Sequence, residues 1–360
     1  MSDTTAHDGL DSLDTPFLAV DLAVMDRNIE RLAGRLRDTG VQLRPHAKSH
    51  KCVEIAQRQI DSGAIGLTVA TIGEAEVFAE AGFTDLFIAY PLWLTPQKAH
   101  RLRQVATRAQ LRVAVDSVVG ARQLAEHLGD LPITVVVEID SGHHRTGVAP
   151  AEAGAVAAAA RSAGLNVVGV FTFPGHGYTP GQRAEVAAQE SHALDAAAGS
   201  LRAEGIEPSV RSGGSTPTVD SADNTVLTEV RPGVYPFNDA QQFELDVCTL
   251  GDIALSAVTT VVHTRGRTAI VDAGSKILGA DRPGWATGFG RLIDDPDARI
   301  VALSEHHATI EFPSAAPSPG TRLRIAPNHL CNAVNLVDSL VIDTADGPRH
   351  WAVAARGTNT

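Results

Sequence analysis

Four short stretches carry residues whose types and spacing could do chemistry. RPHAKSHK, Arg44 to Lys51, sets Lys48 among Arg44, His46, His50 and Lys51. Cationic neighbours disfavour a lysine's own protonated form, and a neutral amine is the better nucleophile toward an aldehyde. The plainer readings are a solvated lysine at a strand end and packed histidines with one hydrogen bond each. RSGGSTPT, Arg211 to Thr218, offers Gly213 and Gly214, whose backbone can turn successive N–H groups toward an anion, with Ser215 and Thr216 as hydroxyl donors. A phosphate is the natural guest and a plain loop the alternative. The stretch lacks GxxxxGK[ST], so nucleotide hydrolysis of the P-loop kind is not supported. EIDSGHHRTGV contains Arg145, which either faces a ring nitrogen or pairs with Asp140. APNHLCNAVNLVD places His329 and Cys331 two residues apart. In an extended chain such side chains point the same way, and imidazole with thiolate suits zinc. The pair is either an open catalytic site completed by water and substrate or the coincidence of a buried cysteine and a histidine.

A reactive lysine and a phosphate nest together suggest a phosphorylated aldehyde held covalently, and pyridoxal 5'-phosphate has both handles. Arg145 then acquires a role. A guanidinium does not readily surrender a proton, so a pyridine nitrogen facing it stays unprotonated and the ring becomes a weaker electron sink.

These residues need elements to hold them. TPFLAVDLAVMDRNIERLAGRLRDTG reads as a short strand and a helix with Met25, Ile29, Leu32 and Leu36 on one face, stopped at Gly40. Eight β-rich runs follow: QLRPHAK, IGLTVAT, LFIAYPL, RVAVDS, ITVVVEID, VVGVFTFP, SVRSGG and EVRPGVY. Segments of helical length lie between them, such as KCVEIAQRQIDSG and AEVAAQESHALDAAAGSLRAEG. This alternation fits a (β/α)8 TIM-type barrel over residues 20–240, with a doubly wound sheet as the rival. In a barrel the carboxyl ends of the strands gather the chemistry. Lys48 closes the first run, and DSGHHRTG, PGHGY, SGGSTPT and PGVYPFND follow later ones. From residue 241 to 360 the texture becomes strands and turns without long helices, as in CTLGDIALSAVTTVVHTRGRTAIVDAG. A C-terminal mostly β domain carrying the metal motif is expected there, with residues 1–19 packing against it.

Composition excludes several classes. With 360 residues, 44% hydrophobic and 20% charged, the chain can bury a large core. A net charge of -12 argues against nucleic-acid binding, which needs a basic face. No run approaches the roughly 18 apolar residues of a spanning helix, and the polar N-terminus does not read as a secretory signal. Cys52, Cys248 and Cys331 are far apart and odd in number, so a disulfide framework is not expected. A cytoplasmic enzyme without membrane or nucleic-acid partners is the expectation.

With these motifs assembled, the chain resembles the fold-type III pyridoxal phosphate enzymes, in the branch of D-threonine aldolases and D-serine dehydratases that shares the alanine racemase N-terminal domain. RPHAKSHK is similar to the branch's RPHxKxHK, which implies covalent attachment at Lys48. DSGHHRTGV implies Arg145 at the pyridine nitrogen, and GHGY resembles GxxY, implying Tyr178 as a cofactor contact. SGGSTPT resembles the phosphate loop through Gly214, Ser215 and Thr216. RPGVYPFND resembles RPGxYxFxD, implying Tyr235 in the phosphate region and Asp239 nearby. PNHLC matches the metal motif, which implies His329 and Cys331 as ligands of a divalent metal, zinc before manganese or magnesium.

Two departures stand out. Phe173 occupies the place where many relatives have a histidine, which leaves His176 as the candidate general base or leaves the base missing. Cys331 matches the dehydratases where many aldolases have aspartate. The resemblance implies a homodimer acting on a D-β-hydroxy-α-amino acid. The leading expectation is retro-aldol cleavage to glycine and an aldehyde, and the alternative is dehydration to a keto acid and ammonia. A racemase and a non-catalytic cofactor-binding regulatory protein are the more distant readings.

Overall fold

The structure is a computed structural model and describes residues 9–360. The chain separates into two compact units. One comprises residues 31–48, 55–233 and 358–360, and the other the described residues up to 30, 49–54 and 234–357. The boundary falls inside RPHAKSHK, immediately after Lys48.

Strand β1 (Phe17–Asp21) leads into the helix Leu22–Arg37, on which Met25, Ile29, Leu32 and Leu36 are all buried, as their spacing requires. Eight strands follow: β2 (Gln42–Leu43), β3 (Leu67–Val69), β4 (Asp85–Pro91), β5 (Gln110–Val115), β6 (Thr134–Glu138), β7 (Asn166–Phe171), β8 (Val210–Gly213) and β9 (Glu229–Val230). They are hydrogen-bonded in the order β2-β9-β8-β7-β6-β5-β4-β3. Each neighbouring pair is parallel. The ring closes where Ile65 N–H donates to Leu43 C=O at 2.9 Å and Thr68 N–H to Pro45 C=O at 2.8 Å, with a parallel bridge between His46 and Thr68. This is the TIM-type barrel expected from the eight runs, and not an open doubly wound sheet.

The barrel interior departs from the branched aliphatic filling common in this fold. Phe87, Ala114, Val136 and Phe171 form an apolar layer, beside which lies a buried ionic one. Arg44 donates from Nε to Glu229 at 2.7 Å and through both Nη atoms to Asp85 at 2.7 and 2.9 Å. Arg112 reaches both Glu229 oxygens at 3.1 and 3.0 Å, Ser212 Oγ donates to Glu229 at 2.6 Å, and Arg231 Nε to Ser212 Oγ at 2.8 Å. Arg44 was expected among the cations around Lys48. Instead it is buried with its charge matched by two carboxylates, because an unpaired guanidinium inside a barrel would cost several kcal/mol, of the order of the penalty per buried ion.

The second unit is mostly β. Strands β10 (Leu255–Arg265), β11 (Thr268–Val271), β12 (Gly290–Leu292), β13 (Arg299–Leu303), β14 (Ala308–Glu311), β15 (Arg322–Pro327), β16 (Ser339–Asp343) and β17 (Arg349–Ala352) join β1 in one sheet, ordered β13-β14-β11-β10-β1-β16-β17. β15 adds to β10, and β12 to β15. β1 pairs antiparallel with β10 and parallel with β16, so residues 17–21 are built into this sheet. Residues 1–8, also expected to pack here, lie outside the described residues. Among the described residues no helix is long and apolar enough to cross a membrane.

Candidate active site

In the barrel unit the candidate site begins where β2 runs out. Pro45 has no N–H to continue a strand, and the chain passes through His46 into the tight turn Ala47–Ser49 that carries Lys48. Lys48 N–H points at His46 Nδ1 at 3.4 Å. The Lys48 ammonium lies 5.4 Å from the centre of the Phe173 ring, and the Arg145 guanidinium lies 5.3 Å from the same ring. Phe173 therefore collects Lys48 and Arg145 on one aromatic surface, and gains cation–π contact from both. His50 and Lys51 belong to the other unit, where the His50 ring takes Cys52 N–H at 3.1 Å and Lys51 donates to Asn335 at 2.8 Å. The expectation of a ring of cations tuning Lys48 is thus corrected, because Arg44 is neutralised in the interior and Lys51 is held elsewhere.

Arg145 does not pair with Asp140. The Asp140 carboxylate accepts Gly142 N–H at 2.9 Å, His144 N–H at 3.0 Å and the His144 ring at 2.7 Å, and so organises the loop that presents Arg145. His144 has φ +56 within this loop. Glu138, at the end of β6, is raised above the usual carboxylate range by burial, which Thr146 and Arg145 oppose.

The Gly214 turn follows β8. Gly214 has φ +77, a conformation that glycine adopts without strain. Ser215 and Thr216 are buried. Ser215 donates its N–H to Thr218 Oγ1 at 3.0 Å and shares a hydroxyl contact with it at 3.0 Å, so the turn is stiffened from within and is not a loose set of donors. Tyr178 lies in the 3-10 turn Gly175–Tyr178. His176, in the same turn, hydrogen-bonds Gln189 through Nε2 at 2.8 Å, and its buried Nδ1 has no partner.

Sequence reasoning missed Glu190. It is fully buried on the helix Arg183–Ala203, accepts Gly214 N–H at 2.6 Å and leaves its second oxygen without a partner. Burial lifts its pKa to about 7, although the Gly214 N–H and Arg231 pull it down. The signal was legible, since Glu190 falls in register with Val186, Ala187 and Leu194 on the apolar face of that helix. An acid whose folded pKa is raised contributes most below its ordinary value of 4.5, and loses that contribution as pH climbs through about 7. Glu190→Gln is therefore expected to raise the melting temperature at pH 8 and to change it little at pH 5, as thermal melts at the two pH values would show.

In the β unit, β15 ends at Pro327 and the chain turns through Asn328 and His329 into the helix Leu330–Asn335. The pair is thus not extended, as expected from its spacing. His329 is the residue before the helix, with φ -132 and ψ 100, and Cys331 sits in the first turn. The two still meet, because a helix start brings the preceding side chain over its first turn. Cys331 above all, with Asp281 and Asp239, pushes the His329 pKa up to about 11 against the opposing effect of burial. His329 Nδ1 lies 3.0 Å from Asp281, and Asn332 donates to the same carboxylate at 2.7 Å. A carboxylate on one ring nitrogen leaves the other for a metal. Asp239 caps the helix Ala240–Glu244 through Gln242 N–H at 2.9 Å and takes Leu330 N–H at 3.3 Å, tying PGVYPFND to the His329 turn. Tyr235 is in this unit and buried. Among the described residues no group of three or more His, Cys, Asp or Glu is gathered in metal-holding geometry. A metal would therefore draw on His329 and Cys331 and complete its shell with water or substrate.

A closed parallel barrel with a lysine at the end of its first strand, an arginine sharing an aromatic ring with it, a glycine-turned loop after β8 and a separate β-sheet unit fits the fold-type III pyridoxal phosphate class. Comparison with known proteins agrees. The alanine racemase N-terminal domain matches residues 20–240, and a putative serine dehydratase domain matches residues 254–342. The chain is 37% identical to the D-threo-3-hydroxyaspartate dehydratase of Delftia sp. (strain HT23), over 98% of this chain and 97% of that protein. The solved structure of that enzyme superposes with a TM-score of 0.88 at 34% identity, covering 96% and 98% of the two chains. A cysteine-to-alanine variant of it has been solved in a metal-free form. The D-threonine aldolase of Arthrobacter sp is 32% identical over 97% of this chain and 94% of that protein, and the D-serine dehydratase of Dictyostelium discoideum is 26% identical over 96% and 99%. The chain belongs to the alanine racemase N-terminal domain family, in the branch that also carries the serine dehydratase domain. It is an enzyme, a pyridoxal phosphate-dependent lyase.

Proposed function

We propose that the chain removes water from D-β-hydroxy-α-amino acids, giving a 2-keto acid and ammonia, with pyridoxal phosphate and a divalent metal as cofactors. We assign residues 20–240 to cofactor binding and residues 241–360 to the metal, in a cytoplasmic homodimer. The observation that carries the reaction is the meeting of His329 with Cys331, since a thiolate and an imidazole favour zinc over harder ions. Dehydration is supported over retro-aldol cleavage by that cysteine and by the names of the Delftia and Dictyostelium relatives.

When bound, pyridoxal phosphate supplies an electron sink for the pair released at Cα, and zinc supplies a Lewis acid for the β-oxygen. Lys48 would hold the cofactor aldehyde through its amine, and the same Nζ would accept the α-proton of the substrate. Arg145 would face the pyridine nitrogen as a donor. Gly214, Ser215 and Thr216 would hold the phosphate, and Tyr178 would add a further cofactor contact. The fit is supported by the left-handed Gly214 turn and by the two cations that share the Phe173 ring.

Chelation tests the metal. Dialysis against a chelator is expected to remove bound zinc and most activity together, and added zinc to restore both. Cys331→Ala is expected to lower bound metal and activity in parallel. Full activity in a metal-free preparation would refute the metal's role.

A further inference from the structure

We propose that His143 is a second base at the Lys48 site, one that accepts the proton of the substrate's β-hydroxyl and gives the enzyme a retro-aldol activity beside dehydration. The inference rests on the reading that Lys48 joins a D-β-hydroxy-α-amino acid to the cofactor.

The geometry comes from two Gly-His dipeptides on neighbouring strand ends, Gly142-His143 after β6 and Gly175-His176 after β7. A Cβ at Gly175 would lie 2.6 to 2.7 Å from three atoms of the His143 ring, and a Cβ at Gly142 would lie 3.0 Å from His176 Nε2. Each imidazole therefore packs on the other dipeptide's glycine, and Gly142 at φ +123 could not readily be another residue. This reciprocal lock fixes His143 edge-on to Phe173, with ring centres 5.5 Å apart, on the same ring that meets Lys48 Nζ and Arg145.

The other histidines near this rim each have one ring nitrogen engaged. His144 is bound to Asp140, His176 to Gln189, and His46 accepts Lys48 N–H. Among the described residues neither ring nitrogen of His143 is hydrogen-bonded, although the ring is half-buried. Burial, then Arg145 and His176, hold its pKa below the ordinary histidine value. His144 acts in the same direction and Asp140 opposes, while Lys48 is the remaining charged group around Phe173. His143 is thus neutral at pH 7, in the form that accepts a proton. A β-hydroxyl oxygen is three bonds from the amine that replaces Lys48, which brings it to the surroundings of that ring.

The step balances without an oxidant or co-reactant. The hydroxyl proton passes to a ring nitrogen of His143, and the O–H pair becomes the second C–O bond of the aldehyde. The Cα–Cβ pair stays on Cα, and the imidazolium returns its proton there to give glycine. Phe173 cannot do this.

The holoenzyme with D-threonine is expected to form glycine and acetaldehyde alongside 2-oxobutyrate and ammonia. His143→Gln is expected to lower the ratio of acetaldehyde to 2-oxobutyrate by at least about 100-fold, within the roughly 10²–10⁴-fold range of a general base, with the visible absorption of the cofactor retained. Gly175→Ala, which displaces the ring without removing it, should move the ratio the same way. In the wild-type holoenzyme, the His143 ring proton signal should titrate below the ordinary value of about 6.5, and acetaldehyde formation should fall as pH drops through that same value. A ratio unchanged in His143→Gln, a His143 titration at or above the ordinary value, or 2-oxobutyrate as the sole product of the wild type would each overturn the proposal and leave the dehydration reading standing. Neither product pair from a wild type with normal cofactor absorption would overturn both.

Discussion

Lys48→Ala purified with pyridoxal phosphate is expected to lack the visible absorption of a lysine-bound cofactor, and to lose activity by at least roughly 10³-fold, within the range of a single acid–base residue. The effect is large because the proposed function gives Lys48 two tasks, covalent attachment and removal of the α-proton. Its turn follows directly on Pro45 and on His46, which is anchored by the barrel-closing bridge to Thr68. No neighbouring amine can substitute, since Lys51 is committed to Asn335 in the other unit. The phosphate turn is untouched by the substitution, so the cofactor should still bind non-covalently and absorb like the free aldehyde. An unchanged spectrum would place the attachment elsewhere.

Glu229→Gln carries the largest expected effect on stability. Glu229 is fully buried and answers Arg44, Arg112 and Ser212 at once. Breaking a buried pair from one side costs about 3–5 kcal/mol, and the lower end applies here because Arg44 keeps Asp85. Burial alone would raise the Glu229 pKa, but Arg44 and Arg112 overcome it and hold the group at about 2. For an acid with a depressed folded pKa, the stabilisation is fully present above the ordinary value and is lost as pH falls from there through about 2. Urea unfolding at pH 7 should show the reduced midpoint, and the wild type should lose more stability than Glu229→Gln on acidification from pH 5 to pH 3. Equal midpoints would mean that the ionic layer is not holding the barrel closed.

Much of the barrel could be read in the sequence because its signals are local. All eight β-rich runs became strands, since each is a short apolar run bounded by helical segments and turn residues, and period and length separate the two. The placement of Lys48, Arg145 and the Gly214 turn after strand ends was legible for a related reason, as strand ends display unusual residue types. The ionic layer was not legible. Arg44, Arg112, Glu229 and Arg231 come from three strands or their ends, β2, β5 and β9, and nothing in a single run says which charges will face inward together. Proximity within RPHAKSHK misled in the same way, because adjacent residues at a turn diverge: Arg44 enters the barrel and Lys51 leaves for the other unit. The His329–Cys331 spacing suggested an extended pair, whereas the structure places the two at a helix start, which also brings such residues together. His143 was visible within the quoted DSGHHRTGV but stood in the shadow of Arg145. Its role depends on packing against Gly175, more than thirty residues away in sequence.

The most direct measurement is product analysis of the zinc-loaded, pyridoxal phosphate-bound enzyme with D-serine and, separately, L-serine. Pyruvate and ammonia in equal amounts from the D-isomer, with no turnover of the L-isomer, is the result expected for a D-specific dehydratase. Conversion of one serine isomer into the other without pyruvate would contradict it and identify a racemase.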